Sequence, residues 1–275
     1  MTARMLVDGV ASVQVSALDR GLAYGDGLFE SIRLIGTIAP LWSRHMRRLA
    51  EGCARLYIPA PDPAQLWREA LEVSCGMAAS VLRITVTRGI GERGYGLPAA
   101  PRPTRVVAAF APPPVAAGVY AQGVRMRVCN IRLAEQPLLA GLKHLNRLEQ
   151  VLARAEWNDP AIAEGVLLDS HGRVISATMA NLFAVVDGEL LTPALDRCGV
   201  AGVARAEVLA ACPQVRVGEL TLAALRGAGE VFLSSSVRGI LPVRSLDDGS
   251  YAPGATTRRL QQHWCDLGFS MEQGE

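Results

Sequence analysis

A chain of 275 residues exceeds one ordinary core and predicts two domains, and its 50% hydrophobic and 20% charged residues exclude disorder over most of its length. A net charge of only +2, with both signs interspersed, provides no field to hold a nucleic-acid backbone, so no nucleic-acid partner is expected. No apolar run reaches the roughly 18 residues that span a bilayer, so no membrane is expected, the N-terminal MTARMLVDGVASV lacks a signal-peptide core, and Cys53, Cys75, Cys129, Cys198, Cys212 and Cys265 form no CxxC pair or framework, which predicts a soluble protein of the reducing cytoplasm.

In chain order, MLVDGVASV reads as a strand, and LFESIRLIGTIAPL is strand-like from its β-branched residues. A helix is predicted from Ser43 to about Tyr57, where Met46, Leu49, Cys53 and Leu56 recur on one face, Arg44, Arg47 and Arg55 lie elsewhere, and Pro59 and Pro61 end the run. A second helix over residues 64–75 and a strand over 81–87 follow, giving a small α/β lobe over residues 1–111. After the strand TRVVAAF, the proline-rich APPPVAAG is a stiff segment, and residues 112–118 are assigned as the linker. The second domain, 119–275, is predicted to hold a strand over 124–131, a helix from about Leu145 to Trp157, and a hairpin of GVLLD and VISA around Ser170-His171-Gly172. A strand NLFAVVDGELL, a helix over 203–211 and an apolar strand over 230–234 complete it.

Of 28 basic residues, a single one is a lysine, Lys143. Arginine serves wherever a plain positive charge suffices, but its guanidinium is neither a nucleophilic amine nor a proton shuttle, so Lys143 is the first candidate for chemistry. Gly89, Gly91 and Gly94 spell GxGxxG after a strand, but Tyr95-Gly96-Leu97-Pro98 and the prolines beyond forbid the helix that a dinucleotide site requires. The loop reads instead as a flexible element offering Arg88, Arg93 and Tyr95 to a ligand, or as a solvated hairpin tip. Gly199-Val-Ala-Gly-Val-Ala-Arg205 opens a helix whose N-terminus suits an anion, with Ser234-Ser235-Ser236 as further donors, although both patterns also occur as plain turns. His45, His144, His171 and His263 form no constellation and read as solvated side chains, and no GxSxG, HExxH or Walker pattern is present. No metal site is indicated.

The stretch Gly141-Leu-Lys143-His-Leu-Asn-Arg-Leu-Glu-Gln-Val-Leu resembles the 4-amino-4-deoxychorismate lyases, fold-type IV pyridoxal-phosphate enzymes related to branched-chain and D-amino-acid aminotransferases. Five further segments resemble the family in the right order: the signature DRGLAYGDGLF from Asp19, His45-Met-Arg-Arg48-Leu49, Val174 through Asn181-Leu-Phe183, Gly199–Arg205, and Ser234–Val243. The resemblance implies a two-domain α/β (α+β) fold, with a small N-terminal lobe, a larger C-terminal pseudo-barrel lobe and the cofactor in the cleft between them. It implies that Lys143 carries pyridoxal 5′-phosphate as a Schiff base and shuttles protons. Arg48, the backbone of Val203 and Ala204, and Ser236 would bind the phosphate. Arg93 and Tyr95 would take the substrate carboxylates. Ser176 stands where the family usually has a glutamate beneath the pyridine nitrogen, and Ala204 where aminotransferases have a threonine. The implied reaction releases pyruvate and 4-aminobenzoate from aminodeoxychorismate in folate biosynthesis, and the implied assembly is a homodimer. A branched-chain or D-amino-acid aminotransferase is the alternative.

Overall fold

The computed structural model describes Arg4–Phe269. It divides into two compact units, one holding the residues up to Pro113 together with Lys143–Asn146, the other Pro114–Leu142 and the residues from Arg147 onward. Residues 1–3 of the N-terminal stretch read above, and 270–275 of the second predicted domain, lie outside the described residues.

The first unit runs β1 (Arg4–Val7), β2 (Val10–Ala11), α1 (Arg20–Tyr24), β3 (Gly27–Ile35), α2 (Trp42–Arg55), α3 (Pro63–Ser74), β4 (Ala79–Thr87) and β5 (Arg105–Phe110). Its sheet has the order β2-β1-β5-β4-β3 with every neighbour antiparallel. MLVDGVASV is therefore a hairpin and not one strand: Asp8 and Gly9 take φ of 51° and 83°, the left-handed pair that suits a two-residue hairpin turn. β3 and β4 pair without interruption from Gly27 opposite Thr87 to Ile35 opposite Ala79. On α2 the apolar stripe Met46, Leu49 and Cys53 is buried, and the helix packs on β3. α3 starts where Asp62 caps the Ala64 N–H and Pro63 needs no donor of its own.

The second unit runs α4 (Val119–Gln122), β6 (Val124–Leu133), α5 (Leu148–Arg154), β7 (Ile162–Asp169), β8 (Val174–Ala177), β9 (Asn181–Val186), β10 (Glu189–Pro193), α6 (Val203–Ala211), β11 (Arg216–Gly218), α7 (Leu222–Arg226), β12 (Glu230–Ser235), β13 (Gly239–Leu246), β14 (Gly249–Ser250) and α8 (Ala255–Asp266). Its sheet has the order β11-β10-β9-β12-β13-β6-β7-β8, with β14 on β13. β8, at one end, also lies against β9 and β10 near the other, so the sheet curls back on itself around a core that includes Val166, Leu182, Leu233 and Val243. Phe183 and Phe232 stack at 5.0 Å. NLFAVVDGELL is again a hairpin, turned at Asp187-Gly188 with φ of 51° and 81°. The helix predicted from Leu145 is shorter, Leu148–Arg154, because the residues before it are committed to pairing with β3.

Candidate functional site

Lys143 sits in the short segment that rejoins the first unit. Phe29 N–H donates to Lys143 O at 3.0 Å, Leu145 N–H donates to Gly27 O at 3.0 Å, and His144 bridges Leu28, so Lys143–Asn146 runs as an added edge to β3. Gly27 is required there, since a Cβ would meet Val86 O at 2.5 Å and Leu145 Cδ1 at 2.9 Å. This pairing leaves the half-buried Lys143 with Nζ 4.3 Å from the centroid of the buried Phe29 ring. The same ring takes the Arg83 guanidinium, with Cζ at 3.6 Å. Among the described residues no carboxylate pairs with Arg83, and burial pulls its pKa below the ordinary arginine value. Two cationic side chains over one aromatic ring, one of them without a carboxylate partner among the described residues, form a place for a ligand anion. Sequence reasoning missed Arg83; the signal was a charge inside the apolar alternation of LRITV.

Arg48, on α2, faces Glu30 on β3. Arg48 Nε donates to Glu30 Oε1 at 2.8 Å, Nη2 donates to Oε2, and His45 Nδ1 donates to Oε2 at 2.6 Å. Burial alone would raise the Glu30 carboxyl, but Arg48 and His45 outweigh it and hold the pKa down at about 2. Burial lowers the His45 pKa, with the positive charges of Arg48 and Lys143 acting in the same direction against the pull of Glu30. His45 is thus a fully buried residue, which corrects its reading as a solvated helix-end histidine. Of the others, His171 donates to Glu135 from an exposed position, and half-exposed His263 lies 3.0 Å from Glu207. Glu135, Asp169 and His171 cluster at ligand spacing, but the Arg173 guanidinium bridges the two carboxylates at 2.8 and 2.6 Å and occupies the cation's place.

In the loop at residues 89–96, Arg93 is exposed and Tyr95 is 86% exposed. Arg88 is not available to a ligand as predicted. It is buried, donates to both Asp26 oxygens, and its remaining donors meet Leu56 O and Tyr57 O at 2.7 and 2.8 Å.

In the second unit, Ser176 lies buried on β8 opposite Leu167 of β7. Val203 and Ala204 form the buried first turn of α6, which Gly202 opens without a side-chain cap, so its first N–H groups have no side-chain cap acceptor. Asn181 shapes this end: its Nδ2 donates to Val200 O at 2.9 Å and its Oδ1 accepts from Gly202 N–H at 3.0 Å. Ser234 is Asn181's partner in register on β12, and its buried Oγ has no hydrogen-bond partner among the described residues. Ser236 lies just beyond, in the turn from β12 to β13. An uncapped helix N-terminus beside an orphaned hydroxyl fits a phosphate group.

The sequence profile of the class IV aminotransferases ("Amino-transferase class IV") matches residues 27–246. An aminodeoxychorismate lyase of Vibrio harveyi is 36% identical over 263 residues, covering 93% of this chain and 97% of that protein. The crystal structure of 4-amino-4-deoxychorismate lyase from Pseudomonas aeruginosa superposes with a TM-score of 0.91 at 48% identity, over 95% of this chain and 98% of the other. The branched-chain amino acid aminotransferase of Escherichia coli gives a TM-score of 0.87 at 25% identity, over 99% and 96%.

Proposed function

The chain belongs to the class IV aminotransferase family, and from that premise we propose that it is a pyridoxal 5′-phosphate-dependent aminodeoxychorismate lyase, converting 4-amino-4-deoxychorismate to 4-aminobenzoate and pyruvate for folate biosynthesis. The observation that carries the reading is the chain's one lysine, half-buried beside an arginine that has no carboxylate partner among the described residues. Pyridoxal phosphate, when bound, supplies an electron sink for the carbon that bears the substrate amine. Lys143 would hold the cofactor through its amine and, as a free amine, would take the proton from the ring carbon that bears the substrate amine. As the enolpyruvyl carbon–oxygen bond breaks, Lys143 can return that proton to the departing enolate, so that pyruvate leaves and the ring becomes aromatic. Arg48, the first turn of α6 at Val203 and Ala204, and Ser236 would hold the phosphate. Arg83, Arg93 and Tyr95 would receive the two substrate carboxylates, arginine offering each a planar fork.

Ser176 favours the lyase over an aminotransferase. A hydroxyl makes only a neutral hydrogen bond and cannot stabilise a protonated pyridine as a carboxylate does. Chemistry that must store a carbanion suffers most, and an elimination driven by aromatisation least. The six cysteines are all free thiols, in keeping with the cytoplasm, and no helix among the described residues is long and apolar enough to cross a membrane. Leu148, Val151 and Leu152 expose an apolar face on α5, the kind of surface that a second copy would cover in a homodimer.

The test is the purified holoenzyme with aminodeoxychorismate and no keto acid. The expected products are 4-aminobenzoate and pyruvate. Dependence on a keto-acid acceptor, with transfer of the amino group, would overturn the lyase reading. Arg93→Ala is expected to lower kcat/KM by roughly 10–100-fold, as for a lost charge-assisted hydrogen bond, with the visible spectrum intact.

A further inference from the structure

The first part of the signature, residues 19–25, has no part in the contacts assigned so far, yet it is densely bonded. Arg20 is only 4% exposed despite its charge. Its Nε donates to Asp26 Oδ2 at 2.9 Å, and Arg88 Nε donates to the same oxygen at 2.7 Å. Burial alone would raise the Asp26 carboxyl, but the two guanidiniums outweigh it and keep it below its ordinary value. Asp26 is therefore a standing anion that holds Arg20 in one orientation.

From that anchor the signature fastens the loop at 89–96. Arg20 N–H donates to Gly89 O at 2.9 Å, and Gly91 N–H donates to Leu18 O at 3.4 Å. Arg20 Nη1 donates to Gly94 O at 3.0 Å, and Gly94 N–H donates to the Tyr24 hydroxyl at 3.1 Å. The Tyr24 and Tyr95 rings stand 5.5 Å apart. The Arg20 stem also fills the space over Gly91, where a Cβ would come within 2.7 Å of Arg20 Cδ. Gly94 lies between Arg93 and Tyr95 and has both of its backbone polar groups tied, one to each of two side chains of α1. A solvated hairpin tip has no such fastening.

The geometry points to Arg20 and Tyr24 as positioning residues that set where Arg93 and Tyr95 stand, and through them the affinity for substrate carboxylates. This rests on the reading of Arg93 and Tyr95 as carboxylate ligands. Ordering a backbone residue in advance removes an entropy cost from binding, so unfastening Gly94 should weaken substrate binding more than it slows the chemical step.

The experiment compares parent, Tyr24→Phe, Arg20→Lys and Arg93→Ala holoenzymes. Tyr24→Phe keeps the ring and deletes only the acceptor of the Gly94 N–H; Arg20→Lys keeps the charge beside Asp26 but cannot also span to Gly94 O. Three quantities are read: KM and kcat for aminodeoxychorismate, and the rate of tryptic cleavage after Arg93, followed by mass. Both positioning variants should raise KM roughly fivefold to twentyfold, leave kcat within about twofold, and speed cleavage after Arg93 several-fold. If Arg20→Lys fails to fold, Tyr24→Phe decides alone. Parent-like cleavage and KM in Tyr24→Phe, with KM raised in Arg93→Ala, overturns the positioning role and leaves the loop's substrate role standing. Faster cleavage after Arg93 in Tyr24→Phe and Arg20→Lys, with KM unchanged in these and in Arg93→Ala, overturns the substrate role of the loop itself.

Discussion

Glu30→Gln isolates one buried charge. Glu30 is 1% exposed and accepts from Arg48 Nε, Arg48 Nη2 and His45 Nδ1. Its carboxyl is held at about 2, against an ordinary value of 4.5. A folded-state pKa below the unfolded one means that the native state favours the ionised form, so this stability is fully present above about pH 4.5 and is lost as pH falls through about 2. The depression corresponds to about 3 kcal/mol at pH 7, with about half remaining near pH 3. A cost of about 3–5 kcal/mol for breaking a buried pair from one side is of the same order. Glutamine supplies one carbonyl oxygen where three donors converge, and turns an N–H₂ toward one of them. Hydrogen exchange of the β3 and α2 amides reads the unit that holds this cluster, with parent and Glu30→Gln compared at pH 7, 5 and 4. The destabilisation should be about 3 kcal/mol at pH 7 and should shrink as pH is lowered through 4. A difference below about 1 kcal/mol, or one that does not change with pH, would refute the account of Glu30 as an ionised clamp.

Lys143→Arg keeps the charge and removes the amine, so the protein should lose its visible band and its turnover, whereas borohydride should fix the cofactor of the parent to one peptide containing Lys143; a fully coloured, fully active Lys143→Arg protein would exclude the assignment. Ser176→Glu should raise slow amino transfer from ordinary amino acids relative to lyase turnover, and an unchanged partition ratio would show that Ser176 does not set the electron demand of the ring. Exposed Cys75 and Cys265 should react with a thiol reagent at pH 8, while Cys53 and Cys198, pushed up to about 11 by burial, and Cys129, pushed up to about 12, should stay protected until unfolding. Fast loss of all six thiols from folded protein would contradict that burial.

Local pattern carried the helices best. The stripe on α2 and the Asp62-Pro63 start of α3 are readable because the burying face and the cap lie within a few residues of each other. Asp8-Gly9 and Asp187-Gly188 were equally local turn signals, and reading through them merged two hairpins into single strands. Other errors have a long-range cause. His45 looks like a helix-end histidine until β3 brings Glu30 to it, and Arg88 looks like a loop donor until Asp26 arrives from 62 residues away. The start of α5 is later than its periodicity predicts because Lys143–Asn146 pairs with a strand more than a hundred residues earlier, which no helical periodicity encodes. Lys143 stands out from composition alone, as the one lysine of an arginine-rich chain, and what the fold adds is its half-buried place beside the Phe29 ring. Arg83 was not, because its isolation from carboxylates is a property of the folded neighbourhood.

The return of Lys143–Asn146 to the first unit also limits how this chain can be recombined. A graft made at the proline segment, with residues up to 113 taken from a relative, would exchange the strand that receives Lys143 but not the segment that carries it. The incoming β3 would have to supply a glycine where Gly27 now stands and an aromatic ring at Phe29 to fit a lysine inherited from the other parent. Functional chimeras should therefore require that residues 27–29 and 143–146 come from the same parent, which makes the unit of inheritance a discontinuous one.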